Sequence, residues 1–360
     1  MGRDAFHFDW LTALLLLGIG SFGLFILLTI DRYLFSQQLV YLVAASIILV
    51  VVSKIDRAIL WWFAPVGYII AILLVLLPFF GPSIRGSHRW IFVGGVQLLQ
   101  PSEIIKPLLL LAFARTMASF SPRNIRNVPL LMIVFIIPFL LVFRQPDLGT
   151  SLVYGGMWLT MLVASGVSII LLGAASGGMA LLAPMLWQLL AAYQKARITT
   201  FLNPALDPRG AGYNAVQAVI AVGSGQFFGR GLGRGTQSHL RFLPEFHTDF
   251  IFATLVEELG FLGGVALLLC YAFLLWRIIA PLVRGRVQDI FHFAYAVGLF
   301  AMLLVQIFIN AGMNMGIIPV TGITLPFVSY GGSSLLSIAI SFGILWSLAR
   351  EKRVGVIAIH

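Results

Sequence analysis

Charged residues are scarce in this chain. Only 10% of its 360 residues are Asp, Glu, Lys or Arg, against roughly 25% in a typical soluble domain. Hydrophobic residues make up 60% of the chain, and its mean hydropathy is +1.00. A water-soluble core could not hide so much apolar surface. The composition therefore excludes an ordinary soluble domain and predicts an integral membrane protein.

Cysteine is almost absent, and so are repeats. The single cysteine, Cys270, lies in an apolar run, which excludes a disulfide framework and a thiolate metal site. The chain has no internal repeat of solenoid or transporter type, no low-complexity segment and no separate soluble domain. We therefore expect a single transmembrane domain over residues 1–360.

Long apolar runs are abundant. A run of about twenty residues can cross a bilayer as a helix, and runs of about this length fall near 10–30, 36–53, 59–80, 102–119, 128–143, 149–165, 167–191, 250–276, 288–313 and 328–349. The first is too long for a signal-peptide core and is interpreted as a retained helix. The stretch 149–191 could be one long helix or two, split near Gly166. The pattern predicts an all-α polytopic fold with ten spans.

The distribution of basic residues predicts the orientation. About half of the 23 Lys and Arg residues lie near the termini and in the short loops 53–58, 115–127 and 277–287. Because basic residues accumulate on the cytoplasmic side, both termini are expected there, and residues 192–249 form one large extracytoplasmic loop. Membrane insertion and anionic lipid explain the cytoplasmic part of the net charge of +10, so no nucleic-acid partner is needed.

The outer face carries several polar groups. Polar segments precede four of the even-numbered spans: Gln100–Glu103, Gln145–Asp147, His247–Asp249 and Ser329–Ser334. They could serve only as helix caps, or they could gather helix N-termini that attract an anion such as phosphate. The short loop containing Arg85, His88 and Arg89 adds cations on the same side, of which Arg89, beside Trp90, is the strongest candidate for binding phosphate oxygens.

Ionisable residues also occur inside the apolar runs. Glu103 and Lys106 share a helix face and could pair, either as a structural brace or in a functional cavity, and Pro107 should kink that helix. Glu257 and Glu258 are expected to be packed or paired rather than catalytic. Two further polar features are the interhelical hydrogen-bonding stripe of Gln306, Asn310 and Asn314 and the glycine-rich run 223–235.

The glycine-rich run does not bind a nucleotide in the manner of a P-loop. No Lys-Ser or Lys-Thr pair closes it, and no strand–helix unit surrounds it. We expect its backbone either to contact a bound lipid or to re-enter the helix bundle.

Several long motifs occur in an order that resembles one family over nearly the whole chain. They are Arg89-Trp90, Gln100–Glu103 with Lys106, Gln145–Thr150, Pro244–Phe252 followed by Glu257–Gly260, and Pro326–Ser334. This set resembles the SEDS family (shape, elongation, division and sporulation). Residues 235–245 are more similar to its elongation members than to its division members.

The resemblance implies a peptidoglycan glycosyltransferase with ten spans that polymerises lipid II at the outer face of the bacterial cytoplasmic membrane. It implies a class B penicillin-binding protein and other elongation-complex membrane proteins as partners. It also implies Asp249 as the catalytic residue, acting as the base that deprotonates a sugar hydroxyl.

The other site residues are expected to bind the substrate. Arg89 and Lys106 would hold the leaving diphosphate, and a divalent cation, Mg²⁺ or Mn²⁺, is a further candidate for that task, although no ligand set is predicted for it. The remaining candidates shape the site: Gln100, Glu103, Asp147, Glu245, His247 and Ser329. Two alternatives remain open, namely a lipid II flippase and a non-catalytic scaffold for a penicillin-binding protein.

Overall fold

The computed structural model describes residues 9–81, 89–93, 96–190, 192–203, 211–287 and 289–350. Arg85 and His88, which the sequence places beside the candidate site, lie outside the described residues. The helices are α1 Trp10–Ile30, α2 Arg32–Val52, α3 Arg57–Leu76, α4 Pro101–Ile104, α5 Lys106–Ser119, α6 Val128–Arg144, α7 Leu148–Ala164, α8 Ile169–Leu189, α9 Ala192–Leu202, α10 Ala211–Ser224, α11 Thr236–His239, α12 Ile251–Val283, α13 Ile290–Asn314 and α14 Gly332–Leu348.

The ten predicted spans are present in the described part of the chain. Six helical segments are each long and apolar enough to cross a membrane, and they contain α1, α2, α3, α6, α12 and α13. The pair α4–α5 and the helices α7, α8 and α14 supply the other four spans. The chain is thus an all-helical membrane protein with ten transmembrane helices. The stretch 149–191 is two helices, α7 and α8, and Gly166 between them has a φ of +93°.

Aspartates begin many of these helices. The side chain of an Asp accepts a backbone N–H in the first turn of α1, α2, α3, α7 and α13, and these caps are Asp9, Asp31, Asp56, Asp147 and Asp289. A carboxylate at this position satisfies an otherwise unpaired N–H and faces the positive end of the helix dipole. Much of the chain's small acidic content is therefore used to start helices.

Ion pairs and hydrogen bonds join the helix ends at one face of the bundle. Arg277 near the end of α12 pairs with Asp9 at 2.7 Å, and Arg57 pairs with Asp289 at 2.5 Å. The Ser347 hydroxyl near the end of α14 donates to the Ile55 carbonyl at 2.6 Å. The starts of α1, α3 and α13 and the ends of α12 and α14 therefore share one face. The polar motifs at the starts of α4, α7 and α12 lie at the opposite face.

Two local features lie at the start of the fourth span. The kink expected at Pro107 is a break at Ile105 that divides the span into α4 and α5, so Pro107 lies in the first turn of a new helix, where its missing N–H is tolerated. A short antiparallel hairpin, β1 Ile91–Val93 and β2 Val96–Leu99, precedes α4. It is too short to give a strand signal in the sequence.

The large loop 192–249 is not irregular throughout, because it contains α9, α10 and α11. Its glycine-rich run packs against a break in α12 at Gly260, where φ is +72°. The N–H groups of Arg230 and Gly231 donate to the carbonyls of Glu257 and Glu258 at 2.9 and 3.0 Å. This run therefore re-enters the bundle, as one of the two sequence interpretations expected.

Glu257 and Glu258 are paired, as predicted. The Glu257 carboxylate accepts from the Thr236 hydroxyl at 3.1 Å and from a backbone N–H at 3.0 Å. The Glu258 carboxylate lies 2.9 Å from Nε2 of His239 and accepts from the Thr29 hydroxyl at 3.1 Å. Both glutamates are buried, and they fasten the returning loop to α12 and α1.

Candidate active site

Asp249 lies in a tight turn immediately before α12. The Glu245 carbonyl accepts three consecutive backbone N–H groups, those of Thr248, Asp249 and Phe250, at 3.1, 3.1 and 3.2 Å. Glu245 itself has a φ of +52°, which costs a non-glycine residue free energy and is often found at functional sites. The turn therefore holds Asp249 in a defined position ahead of the helix.

Asp249 does not cap α12. The cap residue is Phe250, which makes no side-chain capping bond, and the Asp249 carboxylate accepts no hydrogen bond from any described residue. This differs from the aspartates that begin α1, α2, α3, α7 and α13. The Asp249 carboxylate is therefore available to a substrate.

Two amides of α13 fix the backbone of Asp249. The side-chain nitrogens of Asn310 and Asn314 donate to the Asp249 carbonyl at 2.9 and 3.1 Å, and Oδ1 of Asn314 accepts from the Ala253 N–H at 3.2 Å. The predicted interhelical hydrogen-bonding role is confirmed for these two residues. The third member of the stripe, Gln306, is fully buried, and neither polar atom of its side chain has a hydrogen-bond partner among the described residues.

Ser329 is a buried link between the two loops of the site. Its hydroxyl donates to the Thr248 carbonyl at 2.6 Å and accepts from the Leu325 N–H at 2.7 Å. The Tyr330 N–H donates to the His247 carbonyl at 2.9 Å. Ser329 therefore fixes the backbone of Thr248, the residue before Asp249.

His247 is partly buried next to this link. Its ring lies 5.6 Å from the Tyr330 ring, and its Nδ1 is buried with no hydrogen-bond partner in the described part of the chain. Burial lowers the pKa of His247, although the charges of Glu245 and Asp31 act in the opposite direction. His247 is thus favoured in its neutral form near pH 7.

The pKa of Asp249 is raised to about 6. Burial is the largest cause, and the nearby negative charges of Glu245 and Asp147 act in the same direction. Arg197 and Arg89 lower the pKa by electrostatic attraction but do not cancel the effect of burial. A carboxylate with this pKa is still mostly ionised at neutral pH and is a better proton acceptor than an ordinary aspartate.

Two arginines from distant parts of the chain act on Asp249. Nε of Arg89 donates to the Gln145 carbonyl at 3.2 Å. Nη1 of Arg197, on α9, donates to the Thr321 carbonyl at 3.0 Å. The next residue, Gly322, is so close to Asp249 that a Cβ there would lie 3.3 Å from Oδ2 of the aspartate. The sequence gives one signal for Arg197: it lies in the large outer loop 192–249, where the positive-inside rule does not explain a basic residue.

Asp147, Gln100 and Ser102 form a second cluster at the same face. Oδ2 of Asp147 accepts from the Gln100 amide at 3.1 Å and from the Ser102 hydroxyl at 3.2 Å, and Oδ1 accepts from the Thr150 N–H at 3.2 Å. The Asp147 side chain is buried. It joins the starts of α4 and α7 and contributes its charge to the environment of Asp249.

Glu103 and Lys106 form the predicted ion pair. Nζ of Lys106 lies 2.6 and 2.7 Å from the two carboxylate oxygens of Glu103, and the Lys106 side chain has no exposed surface. The charge of Lys106 is therefore matched within the protein. Among the described residues, the cations that act on Asp249 are Arg197 and Arg89.

The described residues contain no group of three or more His, Cys, Asp or Glu side chains that could hold a metal ion. Both carboxylate oxygens of Asp147 are already occupied by hydrogen bonds. The described His, Cys, Asp and Glu side chains therefore do not fit a metal site built by the protein alone.

The polar motifs thus meet at one face, around a carboxylate on which the charges of Arg89 and Arg197 act. A family model described as cell cycle protein, for FtsW, RodA and SpoVE, matches residues 9–354. The chain belongs to this family. SEDS proteins are its members, and the resemblance of the motifs is confirmed.

Relatives of known name match almost the full length of this SEDS chain. It is 39% identical over 357 residues to the peptidoglycan glycosyltransferase MrdB of Escherichia coli K12, covering 98% of this chain and 96% of MrdB. One chain of a solved peptidoglycan synthase complex, described as coordinating polymerization and crosslinking, matches with a TM-score of 0.81 at 29% identity. The match covers 94% of this chain and 97% of that chain. The rod shape determining protein RodA of Thermus thermophilus matches with a TM-score of 0.71 at 26% identity, covering 96% and 97%.

Proposed function

We propose that this chain, a SEDS peptidoglycan glycosyltransferase acting in cell elongation, polymerises lipid II with Asp249 as its catalytic base. It would work at the outer face of the bacterial cytoplasmic membrane, with both termini in the cytoplasm. The observation that carries the proposal is an Asp249 carboxylate that accepts no hydrogen bond from the described residues, has a raised pKa, and lies within electrostatic reach of Arg89 and Arg197. The basic residues at the opposite face support the orientation.

The base acts on the acceptor. A sugar hydroxyl must lose its proton as it attacks the anomeric carbon of the donor, and a carboxylate within hydrogen-bond reach can accept it. Asn310, Asn314 and Ser329 hold the backbone around Asp249, so the carboxylate does not need to be reorganised during the reaction. Glu245, whose charge raises the pKa of Asp249, strengthens the base.

The arginines act on the donor. Its leaving group is a lipid diphosphate, which departs without needing an acid but gains negative charge in the transition state. Arginine offers paired N–H donors that fit phosphate oxygens, and Arg89 and Arg197 lie where their charges reach Asp249. We assign the diphosphate to these two residues. Lys106, paired with Glu103, supports the broken helix α4–α5 beneath them.

The partners follow from the relatives. The similar synthase complex combines polymerization with crosslinking. A class B penicillin-binding protein is therefore the proposed crosslinking partner of this chain, together with other membrane proteins of the elongation complex. No nucleic acid is involved.

The two alternatives make different demands. A flippase needs a polar path across the bilayer, whereas the charges that act on Asp249 lie at one face of the described bundle. A scaffold needs no carboxylate of raised pKa. The glycosyltransferase function of MrdB is the activity that these observations favour.

The test uses the purified protein with its crosslinking partner and lipid II. Asp249→Asn should abolish polymer formation while lipid II still binds. Asp56→Asn is the matched control, because Asp56 is an exposed helix cap at the opposite face and Asn caps a helix equally well. Polymerisation by Asp249→Asn at the rate of the control would remove the proposed base.

A further inference from the structure

A cavity of about 240 Å³ lies beside the active site, between α9, α10 and the segment that follows α13. Its lining is apolar except for Arg197 and Thr200, and the other lining residues are Phe201, Ala215, Val216, Val219, Ile220, Gly316, Ile318 and Val320. The cavity is many times larger than the space that one water molecule needs. It can hold a short stretch of hydrocarbon chain but not a whole polyprenyl lipid.

The wall of the cavity leads directly to Asp249. Gly316, Ile318 and Val320 line it, and the following carbonyl of Thr321 accepts from Arg197. Gly322 comes next, where a Cβ would lie 3.3 Å from Oδ2 of Asp249. Val320 also packs against the small buried cluster that contains Phe250. Arg197 thus connects the two features. It lines the cavity, and its charge lowers the pKa of the Asp249 carboxylate.

A cation at the end of an apolar cavity matches a lipid diphosphate, in which a charged head is joined to a hydrocarbon chain. The charge and the lining are therefore both complementary to one molecule. Val216, Val219 and Ile220 are also among the exposed apolar residues of α10, so a chain could continue from the cavity along this helix.

Building on the proposed function, we infer that this cavity holds the first prenyl units of the donor lipid, with Arg197 on its diphosphate. The choice of donor over acceptor follows from covalent structure. The donor diphosphate is bonded to the reacting carbon and must lie next to Asp249. The diphosphate of a lipid-linked acceptor lies a whole disaccharide away from the reacting hydroxyl.

The cavity contributes position more than affinity. The prenyl chain leaves a lipid environment that is as apolar as the cavity, so its transfer gives little hydrophobic gain. What the cavity supplies is a fixed direction in which the chain leaves the diphosphate. Filling it should therefore misplace the reacting carbon, and small displacements of this kind cost about a hundredfold in rate.

The test fills the cavity. Val219→Trp should lower kcat/KM for lipid II at least about tenfold, in line with the cost of misplacement. Leu202→Trp is the matched control, because Leu202 is also apolar, lies at the end of α9, is 76% exposed and is not part of the lining. Both variants should keep the thermal unfolding midpoint of the wild type. Equal kcat/KM for the two variants would overturn the inference.

A second measurement does not depend on turnover. A polyprenyl diphosphate carrying a diazirine in its first prenyl unit should label α10 in the wild type and in Leu202→Trp, and not in Val219→Trp. Labelling confined to helices other than α9 and α10 would overturn the cavity assignment even if polymerisation depends on Asp249. Labelling of α10 without any polymerisation by the wild type would keep the assignment and remove the proposed function.

Discussion

The replacement Asp249→Asn tests the proposed base most directly. It keeps the size of the side chain and removes only its capacity to accept a proton. General base catalysis contributes about 10²–10⁴ in rate, or about 3–5 kcal/mol of transition-state stabilisation. We expect kcat to fall by this factor. The dissociation constant for lipid II should change by less than about threefold, because Arg89 and Arg197 are still present.

The pH dependence of the wild type provides an independent measure. With a pKa of about 6, Asp249 is about nine-tenths ionised at pH 7 and about one-tenth ionised at pH 5. The base is active in its ionised form, so kcat/KM should rise with pH and level off above pH 7. The profile of kcat should be displaced to higher pH, since a bound diphosphate neutralises the two arginines that lower the pKa of Asp249.

The assay is glycan polymer formation from lipid II, measured from pH 4.5 to 8.5 with the partner present. The acid limb should disappear in Asp249→Asn, whose residual rate no longer depends on this group. An unchanged rate, or an unchanged acid limb in that variant, would refute the assignment of Asp249 as the base.

Three other substitutions test the surroundings of the base. Arg197→Gln removes a cation assigned to the leaving diphosphate, so kcat/KM should fall about 100–1,000-fold. It also removes a charge that lowers the pKa of Asp249, so the acid limb should move to higher pH; an unmoved limb would contradict the proposed proximity. Asn310→Ala leaves the Asp249 carbonyl with Asn314 as its one amide donor. We expect kcat to fall about tenfold while the yield of detergent-solubilised protein stays normal. An unchanged kcat would argue against a positioning role for Asn310. Gly225→Ala would place a Cβ 2.0 Å from a carbonyl oxygen of α12 and should abolish the yield of folded protein. The control Gly223→Ala has open space around its Cβ and should leave the yield unchanged. Equal yields of the two variants would contradict the packing of this loop.

The spans were predictable because the bilayer imposes their length and apolar character. The helices of the large loop could not be predicted from sequence, because α9 and α10 are short and helices of this length depend on tertiary packing. The break in α12 at Gly260 was also invisible. It arises from the close approach of Gly229, whose amide nitrogen would lie 2.2 Å from a Cβ at Gly260, and such contacts between distant residues leave no local pattern.

The site was predictable in part. Motifs marked Asp249 and Arg89, but Arg197 lies in a segment whose approach to Asp249 depends on the packing of α9 against the loop after α13. Lys106 illustrates the converse. In a sequence, a charged residue inside a span is equally consistent with a functional role and with a structural ion pair. Only the structure shows that both carboxylate oxygens of Glu103 lie within 2.7 Å of the Lys106 ammonium group.

Sequence alone does not determine the protonation of Asp249, because two physical effects on its pKa oppose each other. A helix N-terminus lowers the pKa of a carboxylate that caps it, and burial raises it. In the structure the first effect is avoided, because α12 begins beyond Asp249 with Phe250 as its cap. The turn at Glu245 and the amides of Asn310 and Asn314 hold the backbone instead. An aspartate that does not cap a helix can keep a pKa close to neutral pH. An aspartate that caps its helix has a lowered pKa and would be a weaker base.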